Sequence, residues 1–86
     1  MENNKRATGK IISINDKGYG FITSKDVPFE RIFFHWTALN NDTASFKELI
    51  EQFNQEKKET IEVEFTPVEY GDKGWRAIKV DVLEKE

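Results

Sequence analysis

Apolar and polar positions alternate in short stretches along most of this chain, and the period changes once, near the middle. Gly9-Lys10-Ile11-Ile12-Ser13-Ile14 predicts a first strand, Asn15-Asp16-Lys17-Gly18 a turn, and Tyr19 to Ser24 a second strand. These two form a hairpin. A polar connection through Lys25, Asp26, Val27 and Pro28 leads to a third strand, Arg31 to Trp36, rich in the Phe, Ile and Trp that strands favour. Three successive antiparallel strands make a meander. Beyond it, Phe46, Leu49, Ile50 and Phe53 recur at i, i+3, i+4 and i+7, the stripe of an amphipathic helix, and Ser45 with Glu48 has the form of a capping box. A helix from about Ser45 to about Gln55 is expected. After the charged connector Glu56-Lys57-Lys58-Glu59, Ile61, Val63 and Phe65 alternate with Glu62, Glu64 and Thr66 as a fourth strand, which Pro67 should bend or set on an edge. Tyr70-Gly71-Asp72-Lys73-Gly74 supplies a turn, Ile78, Val80 and Val82 alternate through a fifth strand, and Glu84-Lys85-Glu86 should fray.

The longer connection between the third and fourth strands selects the fold. An all-β, five-stranded antiparallel OB-type barrel with a short helix between strands 3 and 4 closes these elements and hides their edges. A five-strand sandwich is the alternative. No repeat or low-complexity tract divides the chain, so a single domain over residues 7–83 is expected, with residues 1–6 and 84–86 as flexible termini.

Composition narrows the chemistry. With no cysteine, the chain has no disulfides, thiolate nucleophiles or Cys-based metal sites, and its single histidine, His35, cannot build a multi-histidine site. No cofactor or metal is expected. No apolar run approaches the roughly 18 residues of a membrane span, and Met1-Glu2-Asn3-Asn4-Lys5-Arg6 lacks a signal-peptide core. The expectation is a cytoplasmic protein with no membrane partner. Thirteen Lys and Arg against sixteen Asp and Glu leave a net charge of −3, which argues against coating duplex DNA by charge alone. The distribution is uneven: residues 1–47 hold seven basic and five acidic residues, residues 48–86 six and eleven. An anionic ligand should prefer the first half.

Seven Phe, two Trp and two Tyr exceed what a small core needs, so their placement is informative. Side chains alternate across a strand, and if Ile22, Ile32 and Phe34 fill the barrel, Tyr19, Phe21, Phe33 and His35 point outward from adjacent strands. Rings on one face, flanked by Lys10, Lys17, Lys25 and Arg31, can stack unpaired bases while the cations follow phosphates. The same rings can instead be cross-strand pairs that stabilise a small sheet. A Phe at the position of Phe46 is more often helix core than a binding residue, and the acidic positions Glu62, Glu64 and Glu69 fit a solvated strand face.

Two motifs add a family resemblance. Lys17-Gly18-Tyr19-Gly20-Phe21-Ile22 resembles the first ribonucleoprotein motif of the cold-shock domain family, and Ile32-Phe33-Phe34-His35-Trp36 resembles the second, in the family's order and near its spacing. Gly9-Lys10-Ile11 with Asn15, Phe46-Lys47-Glu48-Leu49, and Gly74 through Val80 extend the likeness over Gly9 to Val82. The resemblance implies an OB barrel that binds single-stranded RNA and DNA with low sequence preference and a taste for pyrimidines. It implies stacking roles for Tyr19, Phe21, Phe33, His35, Trp36 and Phe46, and places Lys10 and Lys17 near phosphates.

Three departures stand out. Ile12-Ser13-Ile14-Asn15 replaces the family's Lys-Trp-Phe-Asn, the segment Ile50 to Lys58 is longer than usual, and Trp75 stands where the family has proline. In a closed barrel Trp75 and Arg76 are expected to enter the fifth strand beside the first, so that Trp75 supplies a ring near the place Ser13 leaves empty. The expected function is a non-enzymatic, monomeric single-strand binder acting as a passive RNA chaperone or a regulator of transcription and translation. The glycines at 18 and 20 lie in a hairpin and not before a helix, so they do not form a nucleotide-hydrolysis loop. The competing expectation is a protein-interaction module that docks a partner through the acidic second half and the helix stripe Phe46, Leu49, Ile50 and Phe53.

Overall fold

The computed structural model describes residues 6–27, 31–69, 71 and 74–83. Its strands are β1 (Ala7–Asn15), β2 (Tyr19–Thr23), β3 (Ile32–His35), β4 (Ile61–Glu69) and β5 (Trp75–Val82). A 3₁₀ turn (Trp36–Ala38) and the helix α1 (Phe46–Asn54) lie between β3 and β4. The expected turn at Tyr70, Asp72 and Lys73, the residue Pro28 and the tail from Glu84 to Glu86 lie outside the described residues.

Aliphatic side chains decide which faces meet. Ile11, Ile22, Ile32, Phe34, Leu49, Ile61, Val63, Phe65 and Val80 are fully buried in one cluster drawn from every strand and the helix. The sheet closes in the order β1-β2-β3-β5-β4, with β4 pairing back to β1, so it is a barrel and not a sandwich. Four ladders are antiparallel, as the alternation predicts. The fifth is not: β3 and β5 run parallel where Phe33 meets Arg76. A parallel neighbour needs a crossover, and the stretch containing α1 and β4 provides it.

Strict period-2 counting fails within β1. A bulge between Ile11 and Ser13 adds a residue, so Ile11 is buried, Ser13 is exposed opposite Phe21, and Ile14 packs toward the core. The third strand also ends one residue early, and Trp36 opens the 3₁₀ turn instead of continuing the ladder.

The fourth strand keeps Pro67, opposite Ala77 on β5. The β1 ladder reaches only to Ala7 opposite Phe65, so the missing proline N–H falls beyond it. Where β4 and β5 shift register, Lys79 takes a positive φ of 52° and its carbonyl accepts from Arg6 at 2.7 Å. The same guanidinium donates to Thr66 Oγ1 at 3.2 Å and pairs with Asp81. Arg6, which the sequence groups with the N-terminal tail, thus ties β1 to this irregular seam.

A nine-residue helix has little stability of its own and depends on packing and caps. Leu49 is fully buried, and Phe46 and Phe53 pack against the core, so three of the four residues of the apolar stripe face inward. The capping box is complete: the Ser45 hydroxyl accepts from the Glu48 N–H at 3.2 Å, and the Glu48 carboxylate accepts from the Ser45 N–H at 3.0 Å. Ser45→Ala should therefore lower unfolding free energy by about 1 kcal/mol in urea denaturation.

Candidate nucleic-acid interface

In the β2–β3 ladder Tyr19 lies opposite His35, Gly20 opposite Phe34, and Phe21 opposite Phe33. Phe34 and Ile22 are buried, which turns Tyr19, Phe21, Phe33 and His35 to the other face, where each is half-buried. Gly20 makes this close pairing possible. A Cβ there would lie 2.7 Å from the Phe34 ring and 2.8 Å from the Ser13 carbonyl oxygen.

Three of the outward rings form one cluster. Tyr19 and Phe33 are tilted by 31° with centroids 5.7 Å apart, and Phe21 stands edge-on to both at 6.0 Å. The rings therefore support the sheet and still present a half-open apolar face. Two guanidinium groups border it: Arg31 lies 5.7 Å from the Phe21 centroid and Arg76 5.3 Å from that of Phe33, both within cation–π range.

His35 is held by the 3₁₀ turn it caps. The Thr37 N–H donates to Nδ1 at 3.3 Å, with the Thr37 hydroxyl 2.9 Å from the same nitrogen. Because Nδ1 accepts, the neutral ring carries its proton on Nε2. Trp36 follows, 47% exposed, its ring centroid 5.8 Å from that of His35. The Trp36 backbone N–H donates to the Gly18 carbonyl at 2.9 Å, and Gly18, at φ 110°, leaves no room for a side chain because a Cβ would sit 2.9 Å from the indole.

The remaining sequence candidates divide. Lys10 is exposed on β1 between Thr23 and Glu62, and Lys17 is exposed in the hairpin turn, where its N–H donates to Asn15 Oδ1 at 2.8 Å. Phe46 turns inward, its ring 6.4 Å from Phe34 and edge-on to it. Trp75 needs correction. Its strand lies between β3 and β4, not beside β1, and its ring packs against the core, so it does not fill the place beside Ser13. Arg76, on the opposite parity, joins the platform through Phe33.

Sequence parity missed a continuation of this face. Val68 pairs with Arg76, and Ile78 lies two residues further along β5. Both are half-buried and line a hollow of about 600 Å³ that also takes in His35, Ala38, Arg76 and Lys79. The signal was present in the apolar residues at 68 and 78 but needed the β3–β5 pairing to be interpretable. Among the described residues no group of three His, Asp or Glu side chains could hold a metal ion, and no helix is long and apolar enough to cross a membrane.

Closure, strand order and the intervening helix define an OB-type barrel with an outward aromatic face. The family model described as the 'Cold-shock' DNA-binding domain matches residues 7–83, and the chain belongs to this family of nucleic-acid-binding domains. Among solved structures, the chain is similar to one described as Drosophila Unr CSD456, with a TM-score of 0.65 and 25% identity. That alignment covers 98% of this chain, which spans only 29% of the other's length. No curated protein sequence matches the chain.

Adjacent residues of β3 should respond differently to truncation. Phe34→Ala empties a fully buried site and should cost about 3–5 kcal/mol, while Phe33→Ala removes cross-strand ring contacts and should cost about 1 kcal/mol, both measured by urea unfolding.

Proposed function

We propose that this domain binds unpaired RNA and DNA by stacking bases on Tyr19, Phe21, Phe33, His35 and Trp36. The observation that carries this is the registered pair of outward positions on β2 and β3, Tyr19 opposite His35 and Phe21 opposite Phe33. A half-open ring cluster bordered by cations suits a polyanion with apolar planes, and a duplex conceals those planes.

Binding of this kind does not need ATP. A protein that prefers unpaired bases shifts a hairpin toward its open form by mass action alone, which is the physical content of a passive chaperone. Acting on transcripts in the cytoplasm, the same preference would alter transcription and translation wherever a hairpin controls them. The low sequence preference expected of stacking, since every base has a π-face, goes with the taste for pyrimidines that the family resemblance implies.

The test is fluorescence anisotropy of labelled oligo-dT and oligo-U, with a duplex control, across a salt series. Phe21→Ala and Phe33→Ala should stay folded and weaken single-strand binding by about 1–3 kcal/mol, roughly 5- to 150-fold. The log–log salt slope should amount to about −0.7 for each phosphate contacted. Unchanged affinity in both alanine variants, or equal binding of duplex, would refute the proposal.

Ser13 supplies a gain-of-function check. It is exposed, in register with Phe21, and lies where the family carries a tryptophan. Ser13→Trp should extend the platform and tighten oligo-dT binding by about tenfold, within the range of one added base stack.

A further inference from the structure

We propose that a bound single strand continues from Phe33 across the β3–β5 seam into the hollow formed by β5, the end of β4 and the 3₁₀ turn, and does not run toward β1. This rests on the base-stacking function proposed above and deepens it by assigning the path of the ligand.

Continuity is the first support. His35 and Arg76 belong to both places: each lies on the aromatic face, and each lines the hollow. Arg76 stands in ladder register with Phe33, its guanidinium 5.3 Å from that ring's centroid, so a strand leaving Phe33 in this direction meets positive charge at once.

Shape and composition supply the second. The hollow holds about 600 Å³, within the roughly 300–1,000 Å³ typical of small-molecule sites. Val68, Ile78 and Ala38 provide apolar contact for a base, while Arg76 and Lys79 provide positive charge for its phosphates. No carboxylate occurs among its described lining residues. Of the acids on the β4–β5 ladder, Glu64 and Asp81 are engaged by Arg6, which reduces their repulsion of a polyanion, and Glu69 is exposed next to Val68.

The opposite direction is less favourable on the same criteria. A comparable hollow of about 650 Å³ lies where β1, the end of β2 and β4 meet, lined by Lys10, Lys25, Asp26 and Glu62 among others. Its two lysines are matched by two carboxylates, so it offers a phosphate no net attraction. The approach to it along β1 passes Ser13, which has no ring to stack. The charge lining the two hollows, and the missing ring on the approach along β1, therefore both select the β5 side.

Amide shifts in ¹⁵N–¹H NMR spectra of the intact chain test the path. Titrations would use oligo-dT of about four and of about eight nucleotides, at the low end of the site sizes of OB barrels. Both lengths should shift Tyr19, Phe21 and Phe33, and the longer strand should additionally shift Val68, Ile78 and Lys79. If the longer strand instead shifts Thr8, Lys10 and Lys25, the path runs the other way and the inference is overturned while base stacking stands. Shifts confined to β2 and β3 at both lengths would also overturn it. Absence of any shift would remove the binding function itself. As a second measurement, Ile78→Ser should weaken binding of the longer strand about fivefold and leave the shorter unchanged, since it removes one apolar contact. Equal affinity of parent and variant for both lengths would contradict the assignment.

Discussion

Phe34 sits against the backbone of Gly20, so close that a single added carbon would lie 2.7 Å from its ring. Strand geometry has a period of two, and this contact therefore commits the whole β2–β3 pair to one sidedness. With Phe34, Ile22 and Ile32 turned inward, Phe33, His35, Tyr19 and Phe21 have no choice but the outer face. The core and the binding surface are thus two sides of one packing decision. Neighbouring glycine serves the same end differently: Gly18 turns the hairpin at positive φ and makes room for the indole of Trp36, which extends the ring surface past the end of β3.

Electrostatics explain how an acidic chain can present a surface fit for a polyanion. The net charge of −3 is an average over a molecule whose acids lie mainly in the second half of the chain. Arg31 reaches Phe21 and Arg76 reaches Phe33, at distances where a guanidinium is attracted to an aromatic face. Arg6 meanwhile occupies Glu64 and Asp81 at the β4–β5 seam. At physiological ionic strength screening acts over about 8 Å, so these local cations matter more to a bound phosphate than distant glutamates do.

Much of this was legible in the sequence because it depends on local period. The hairpin, the capping box at Ser45 and Glu48, the alternation of Ile61, Val63 and Phe65, and the outward set on β2 and β3 all follow from spacing alone. What escaped was non-local or irregular. The parallel contact of β3 with β5 is set by barrel closure, and without it Trp75 was placed beside β1 when its ring in fact packs on the core. The bulge in β1 inserts one residue and reverses the faces of Ser13 and Ile14, which no strict alternation can anticipate. Val68 and Ile78 looked like ordinary strand residues until their neighbours across the barrel were known.

The central claim is that unpaired bases, and not phosphates alone, hold the ligand. The most direct measurement is the affinity of one oligonucleotide set against its abasic counterpart of equal length and charge, at the same salt concentration. Stacking on the β2–β3 rings predicts that removing the bases abolishes most of the binding while the residual attraction disappears as salt rises. Equal affinity for the two strands would contradict the account, because the aromatic face would then serve the sheet and the cations would do all the binding.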